Sequence, residues 1–216
     1  MFRVILYAQW KWARLVVTLG TVAGFAIPIL SLQPAGGGAP LPAGDLLRTV
    51  QSWGVLYPAL AAALAVLVAI AAWAPDHRGR HVYALSLPLP RWRWALLRFA
   101  AGAVLLAAPI IAVWAGGLLA TTTAQLPEGL HGYATGLALR FALAVAVGYS
   151  VFFAISSGTA RTAGAILGII AGLVVVQLLA GAADVNLHLF DFAQNTVLSW
   201  PGPLAIFTGR WMLIDV

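Results

Sequence analysis

The chain contains no cysteine, which excludes disulfides, thiolate metal sites and cysteine nucleophiles together and leaves the redox compartment open. Charge is nearly as scarce: Asp, Glu, Lys and Arg make up 8% of the 216 residues, where a soluble domain carries about 25%. No Gly-x-x-x-x-Gly-Lys-Ser/Thr string occurs, so the chain has no phosphate-binding loop with which to hold ATP itself. In place of charge there is hydrocarbon, with 62% of residues hydrophobic. So apolar a chain cannot present a water-compatible surface, and lipid must be the solvent for much of it. The formal net charge of +6 comes from 12 Lys+Arg against 6 Asp+Glu. These charges lie between hydrophobic segments, so they are read as fixing topology against anionic lipid and not as a nucleic-acid surface. Basic residues precede the first apolar run, but no small-residue cleavage site follows, and no cleavable signal peptide is expected.

A helical span needs about 20 largely uncharged residues to cross about 30 Å of hydrocarbon. Five stretches are expected to do so: about 15–32, 55–74, 99–120, 133–155 and 163–183. Pro28 and Pro109 fall inside two of them, which spans tolerate when neighbours satisfy the freed backbone groups. The expected fold is thus an all-α integral membrane bundle forming one transmembrane domain over 1–216. The tail over 184–216 is apolar in places but interrupted by Pro201, Gly202, Pro203, Gly209 and Arg210. It reads as an external or re-entrant segment and not as a sixth complete span.

The loops give an orientation. Arg3, Lys11, Arg14, Arg78, Arg80, Arg91, Arg93, Arg98 and Arg161 fall on one side, nine basic residues against Arg48 and Arg140 on the other. The second side also carries Asp45, Glu128, Asp184 and Asp191. The positive-inside rule then puts the N-terminus and the 75–98 loop in the cytoplasm of a multi-pass protein of the plasma or inner membrane. Before the first span, Arg3, Tyr7, Lys11 and Arg14 share a helical face. With Trp10 and Trp12 at headgroup level, residues 1–14 are expected to form an amphipathic interfacial helix. The alternative is that they extend the first span with snorkelling cations.

The connection between the second and third spans is the longest of the polar ones. Pro75 favours a break, a charged Asp76-His77-Arg78-Gly79-Arg80-His81 stretch follows, and Val82 to Leu87 can form one or two helical turns. Pro88 and Pro90 prevent continuation, and Arg91, Trp92, Arg93 and Trp94 re-enter the membrane as anchors. The residues alone leave two readings: a short rigid cytoplasmic helix able to transmit force, or a topogenic loop whose arginines only fix orientation.

This stretch resembles the cytoplasmic segment of ABC-2 type ABC transporter permeases. In that family an acidic residue closes the second span, a Gly follows, and a Leu-Leu-Ser-Leu-Pro-like string precedes the third. Asp76, Gly79, Ala84-Leu85-Ser86-Leu87-Pro88-Leu89-Pro90-Arg91 and Arg98 correspond here. Asp76 stands where Glu is commoner, and Pro90 where a small polar residue is usual. The overall plan is similar as well, including the Ser156-Ser157-Gly158-Thr159 turn between the fourth and fifth spans. The resemblance implies a transport subunit with no chemistry of its own and no cofactor. ATP and Mg would be bound by a separate ABC ATP-binding subunit, and a second permease subunit would complete a homo- or heterodimer. Asp76, Arg78, Gly79, Arg80, Leu85, Ser86, Leu87, Pro88 and Arg91 would form the coupling segment that contacts the ATPase. The family has six spans, so a sixth is expected from the resemblance that the hydropathy does not supply.

Among the remaining polar residues no catalytic set stands out. His77, His81, His131 and His188 lie in loops, and the i, i+4 pair His77/His81 lacks a third ligand for a metal. Asp184, His188 and Asp191 read as solvated loop residues, with an embedded hydrolase as the rival reading. Arg140, near the outer end of the fourth span, and Gln177 in the fifth are candidates for a substrate path, because polar groups at membrane depth are functional candidates by default. Gly164, Gly168 and Gly172 repeat at i+4, a close-packing face whose first expected use is within the subunit and whose second is a dimer seam. A non-transporting scaffold of a larger complex remains the other rival class. The cysteine-free sequence makes topology directly testable. Gly79→Cys is expected to react with a membrane-impermeant maleimide only from the cytoplasmic side, and Glu128→Cys only from the outside.

Overall fold

The computed structural model describes residues 1–33, 42–78, 90–124, 126–158, 160–182, 199, 202 and 204–215. Six helices dominate: α1 (Phe2–Leu32), α2 (Ala43–Gly54), α3 (Leu56–Arg78), α4 (Arg91–Thr123), α5 (Ala134–Ser156) and α6 (Ala160–Ala182). Two short strands, β1 (His131–Gly132) and β2 (Ile214–Asp215), pair antiparallel with His131 opposite Asp215. Ala205–Phe207 form a single 3-10 turn. Among the described residues, four stretches are long and apolar enough to cross a membrane: Phe2–Leu32, Ala43–Pro75, Arg91–Thr123 and Ala134–Ser156. The chain is therefore a helical protein with the hallmarks of a membrane-spanning bundle.

Helix α1 is unbroken, so residues 1–14 do not form the separate helix expected from their composition. Ile5, Gln9, Ala13, Val17, Gly20, Gly24, Ile27 and Ser31 are all buried, one stripe repeating every three or four residues along the whole length. Nothing between Ala13 and Val17 breaks the backbone ladder, and the stripe keeps its direction across that point. The basic face that suggested an interfacial helix is the outward side of this same rod. At about 1.5 Å per residue, 31 residues reach about 46 Å, well beyond a hydrocarbon layer of about 30 Å.

The second span is also preceded by an element that hydropathy alone does not reveal. In α2, Leu46, Val50 and Gly54 are buried at intervals of four residues, and Asp45 sits in the first turn, where a negative charge complements the helix dipole. Pro58 has no N–H to offer the Gly54 carbonyl, and the helix breaks at Val55 before resuming as α3. Helix α4 likewise begins eight residues before the expected third span, at Arg91, with Pro90 as its N-cap.

The bundle is organised around the long contact of α1 with α4, with α3 and α5 forming a second closely packed pair. A Cβ at Gly116 of α4 would collide with the Phe25 carbonyl of α1, and Gly24 sits across from Pro109 and Val113. Small residues at these crossings let the backbones approach where no hydrophobic force drives helices together. Helix α6 is different. Gly164, Gly168 and Gly172 are exposed, and a Cβ at any of them meets nothing within 4 Å. Among the described residues nothing packs on this glycine face, and α6 touches the bundle mainly through α5.

Gly116→Val is expected to wedge α1 from α4 and to cost about 1–3 kcal/mol, as overpacking does in a tight core. The same change at Gly168 is expected to be near neutral, and the two can be compared by thermal unfolding in one detergent.

Candidate functional site

Two constellations of polar side chains lie at opposite ends of the bundle, each built on an arginine. At the end where α3 finishes and α4 starts, Arg98 is 6% exposed and Gln9 is 3% exposed. Arg98 Nη1 donates to the Ala72 carbonyl at 2.8 Å, and Gln9 Nε2 donates to the Arg98 carbonyl at 3.1 Å. The guanidinium lies 4.7 Å from the Trp94 ring centroid and 5.2 Å from that of Trp73, close enough for the ring quadrupoles to stabilise its charge. Pro75 lies one turn beyond Ala72 and removes a backbone donor from that part of α3.

The aromatic layer behind Arg98 extends this junction to α5. Trp73 and Phe153 have centroids 5.1 Å apart, Phe99 and Phe153 meet edge to face at 5.3 Å, and Phe99 stacks on Tyr149 at 5.0 Å. The Tyr149 hydroxyl donates to the Phe99 carbonyl at 3.3 Å. Residues from α1, α3, α4 and α5 thus meet in one layer, near the C-terminal end of α3 and the N-terminal end of α4.

At the far end, Arg140 of α5 holds the C-terminal tail. Its Nη1 donates to the Arg210 carbonyl and its Nη2 to the Thr208 carbonyl, with a longer contact to the Ile206 carbonyl at 3.4 Å. The guanidinium also lies over Trp211 at 4.4 Å from the ring centroid. Trp211 in turn stacks on Tyr57 at 6.4 Å and 16°, and the Tyr133 N–H donates to the Leu213 carbonyl at 2.8 Å beside the β1–β2 pair. A Cβ at Gly54 would strike the Trp211 carbonyl, and one at Gly148 would lie 3.2 Å from the Phe207 ring. Phe207 therefore lies beside the middle of α5, while Ile214 pairs with Gly132 just before its first turn. Leu213 and Ile214 are fully buried.

The residues singled out from the sequence distribute unevenly over this frame. Asp76 and Arg78 occupy the last turn of α3, and Arg91 opens α4 with its side chain exposed. Gly79, Arg80, Leu85, Ser86, Leu87 and Pro88 lie outside the described residues, as do His81, Asp184, His188 and Asp191. Arg140 is engaged by carbonyl oxygens of the tail, so its role in the fold is a clasp. Gln177 stands on α6 with a buried Oε1 that has no hydrogen-bond partner among the described residues. Gln9, Trp73, Phe153, Trp211 and Tyr57 join these clusters without having been picked out by spacing or charge; Gln9 alone carried a signal, as a polar residue off the basic face of α1.

No protein-family model matches the chain, and no curated protein or solved structure shows significant similarity to it.

Arg140→Met is expected to leave the tail carbonyls without their donor, at a cost of about 1–3 kcal/mol. Hydrogen exchange should accelerate over residues 204–215 while α4 and α5 keep their protection. Arg140→Lys should restore protection only in part, since an ammonium cannot reproduce the planar fork.

Proposed function

We propose that this chain is the permease subunit of an ABC-2 type exporter, working as a homo- or heterodimer with a separate ATP-binding subunit. The observation that carries the reading is the 76–98 string, from Asp76 and Gly79 through Leu85-Ser86-Leu87-Pro88 to Arg91 and Arg98. Its setting supports the reading. The segment lies between Arg78 at the end of α3 and Arg91 at the start of α4 in the sequence, and those two helices are cross-linked near these ends by Arg98 and Ala72. A push on the segment would be delivered to a layer in which four helices meet, and not to one loop.

On this reading α6 is the fifth span, and the tail that returns from Phe207 to Ile214 is a re-entrant element standing where the family has its sixth. The nine basic residues put the N-terminus and the coupling segment in the cytoplasm of the plasma or inner membrane. The cargo path would run between two such subunits, and its apolar walls suit a hydrophobic or amphipathic substrate. ATP and Mg belong to the partner.

Purification in mild detergent with the products of neighbouring open reading frames tests this. An ATPase chain is expected to co-purify, and Leu85→Asp or charge reversal at Arg78 and Arg80 is expected to reduce ATP turnover to that of the ATPase alone. Insertion should stay intact in those variants. A complex that forms but hydrolyses no ATP would favour a scaffold and end the transporter reading.

A further inference from the structure

Two recesses open on either side of Arg140, and together they have the shape and charge of a lipid site. The first, of about 250 Å³, is walled by Tyr133, Leu137, Arg140, Arg210, Trp211 and Asp215. The second, of about 530 Å³, is walled by Gly136, Leu139, Leu143, Ala205, Ile206 and Arg140. Gly136 and Arg140 border both. Among its described walls the first recess has two arginines and one carboxylate, a net charge of +1. The second is lined mainly by aliphatic side chains, of which Leu139 is 62% exposed and Leu143 is 48% exposed, with Arg140 and Thr208 as its polar walls.

The two differ in chemistry but share a wall, and they succeed one another along α5. Tyr133 precedes the first turn of the helix, where an aromatic ring suits the membrane interface. Leu139 and Leu143 lie about two and three turns further along the helix, at the depth of acyl chains. Among the described residues Arg140 makes no ion pair with a carboxylate; carbonyl dipoles and the Trp211 face orient it without cancelling its charge.

We infer that this is a binding site for an anionic phospholipid, with the phosphate in the Arg140–Arg210 recess and an acyl chain in the groove of Leu139, Leu143 and Ile206. Charge complementarity selects the headgroup. A zwitterionic lipid would bring a second cation into a recess that already has a surplus of one, and a free anion would leave the groove unfilled. A second copy of the chain is a poor occupant, because it has only 6 acidic residues to offer. The site depends on neither a partner ATPase nor transport, so it stands apart from the permease reading.

The 216-residue chain, purified in neutral detergent, can be titrated with phosphatidylglycerol or phosphatidylcholine and followed by native mass spectrometry and thermal melting. Phosphatidylglycerol should remain bound and raise the melting temperature, and phosphatidylcholine should do neither. Arg210→Gln should weaken retention about fivefold, the effect of one basic side chain near an anionic headgroup. Arg210 is exposed, and the carbonyl that Arg140 uses survives that change. Gly136→Leu fills the shared wall while leaving both arginines in place, and should abolish retention. A Cβ there meets only the Tyr133 Cβ, at 4.0 Å, and Leu favours the helix more than Gly does. Equal retention of the two lipids, undiminished binding by Gly136→Leu, or the same thermal shift from inorganic phosphate alone would each overturn the assignment.

Discussion

A guanidinium in hydrocarbon has lost its water, and so has a carbonyl that no helical N–H can reach. In this chain an arginine at each end of the bundle finds its acceptors among backbone carbonyls. Arg98 donates to the Ala72 carbonyl close to a proline-disturbed stretch of α3. Arg140 donates to the carbonyls of a tail segment that is largely irregular and has few backbone partners of its own. Charged groups at membrane depth are costly and are found paired with one another or with backbone carbonyls. Here both arginines donate to backbone carbonyls, and each also lies over an indole ring. Everything else that distinguishes the two ends depends on these contacts.

They divide the bundle into regions of different character. The middle is held by close backbone crossings, as at Gly116 and Phe25. At the Arg98 end, an aromatic layer joins α1, α3, α4 and α5 around one cation, so a displacement of the α3–α4 connection is shared among four helices. At the Arg140 end, the tail is fastened by hydrogen bonds, a ring stack and a two-residue strand pair. Helix α6 stands outside this arrangement, with its glycines uncovered. Among the described residues, α5 is its main neighbour.

Composition and hydropathy made the main helices legible. The spans expected at 55–74 and 133–155 lie within a residue or a few of the ends of α3 and α5. They missed α2, whose buried stripe of Leu46, Val50 and Gly54 is diluted by exposed polar residues. They divided α1 at Leu15 because charge on its outward face imitates an interface boundary, whereas the buried stripe that keeps the helix whole carries no charge. The placement of Gly164, Gly168 and Gly172 was also beyond reach: spacing shows that a face can pack closely, but not whether a partner is there. Arg140 was legible as an unusual cation and illegible as a clasp, since its acceptors are backbone atoms 66 to 70 positions away. Backbone carbonyls leave no mark in a sequence.

The strand pair between His131–Gly132 and Ile214–Asp215 also sets an order of events during biosynthesis. Membrane helices enter the bilayer first and assemble afterwards. Trp211, Leu213 and Ile214 complete a surface made of Gly54, Tyr57 and the α4–α5 loop, all synthesised long before them. The far end of the bundle therefore stays open until residues 211–214 have been made, and a nascent chain halted at Ala182 would hold its helices without that seal. Quality control that senses incomplete packing would find its cue at that end and not among the spans.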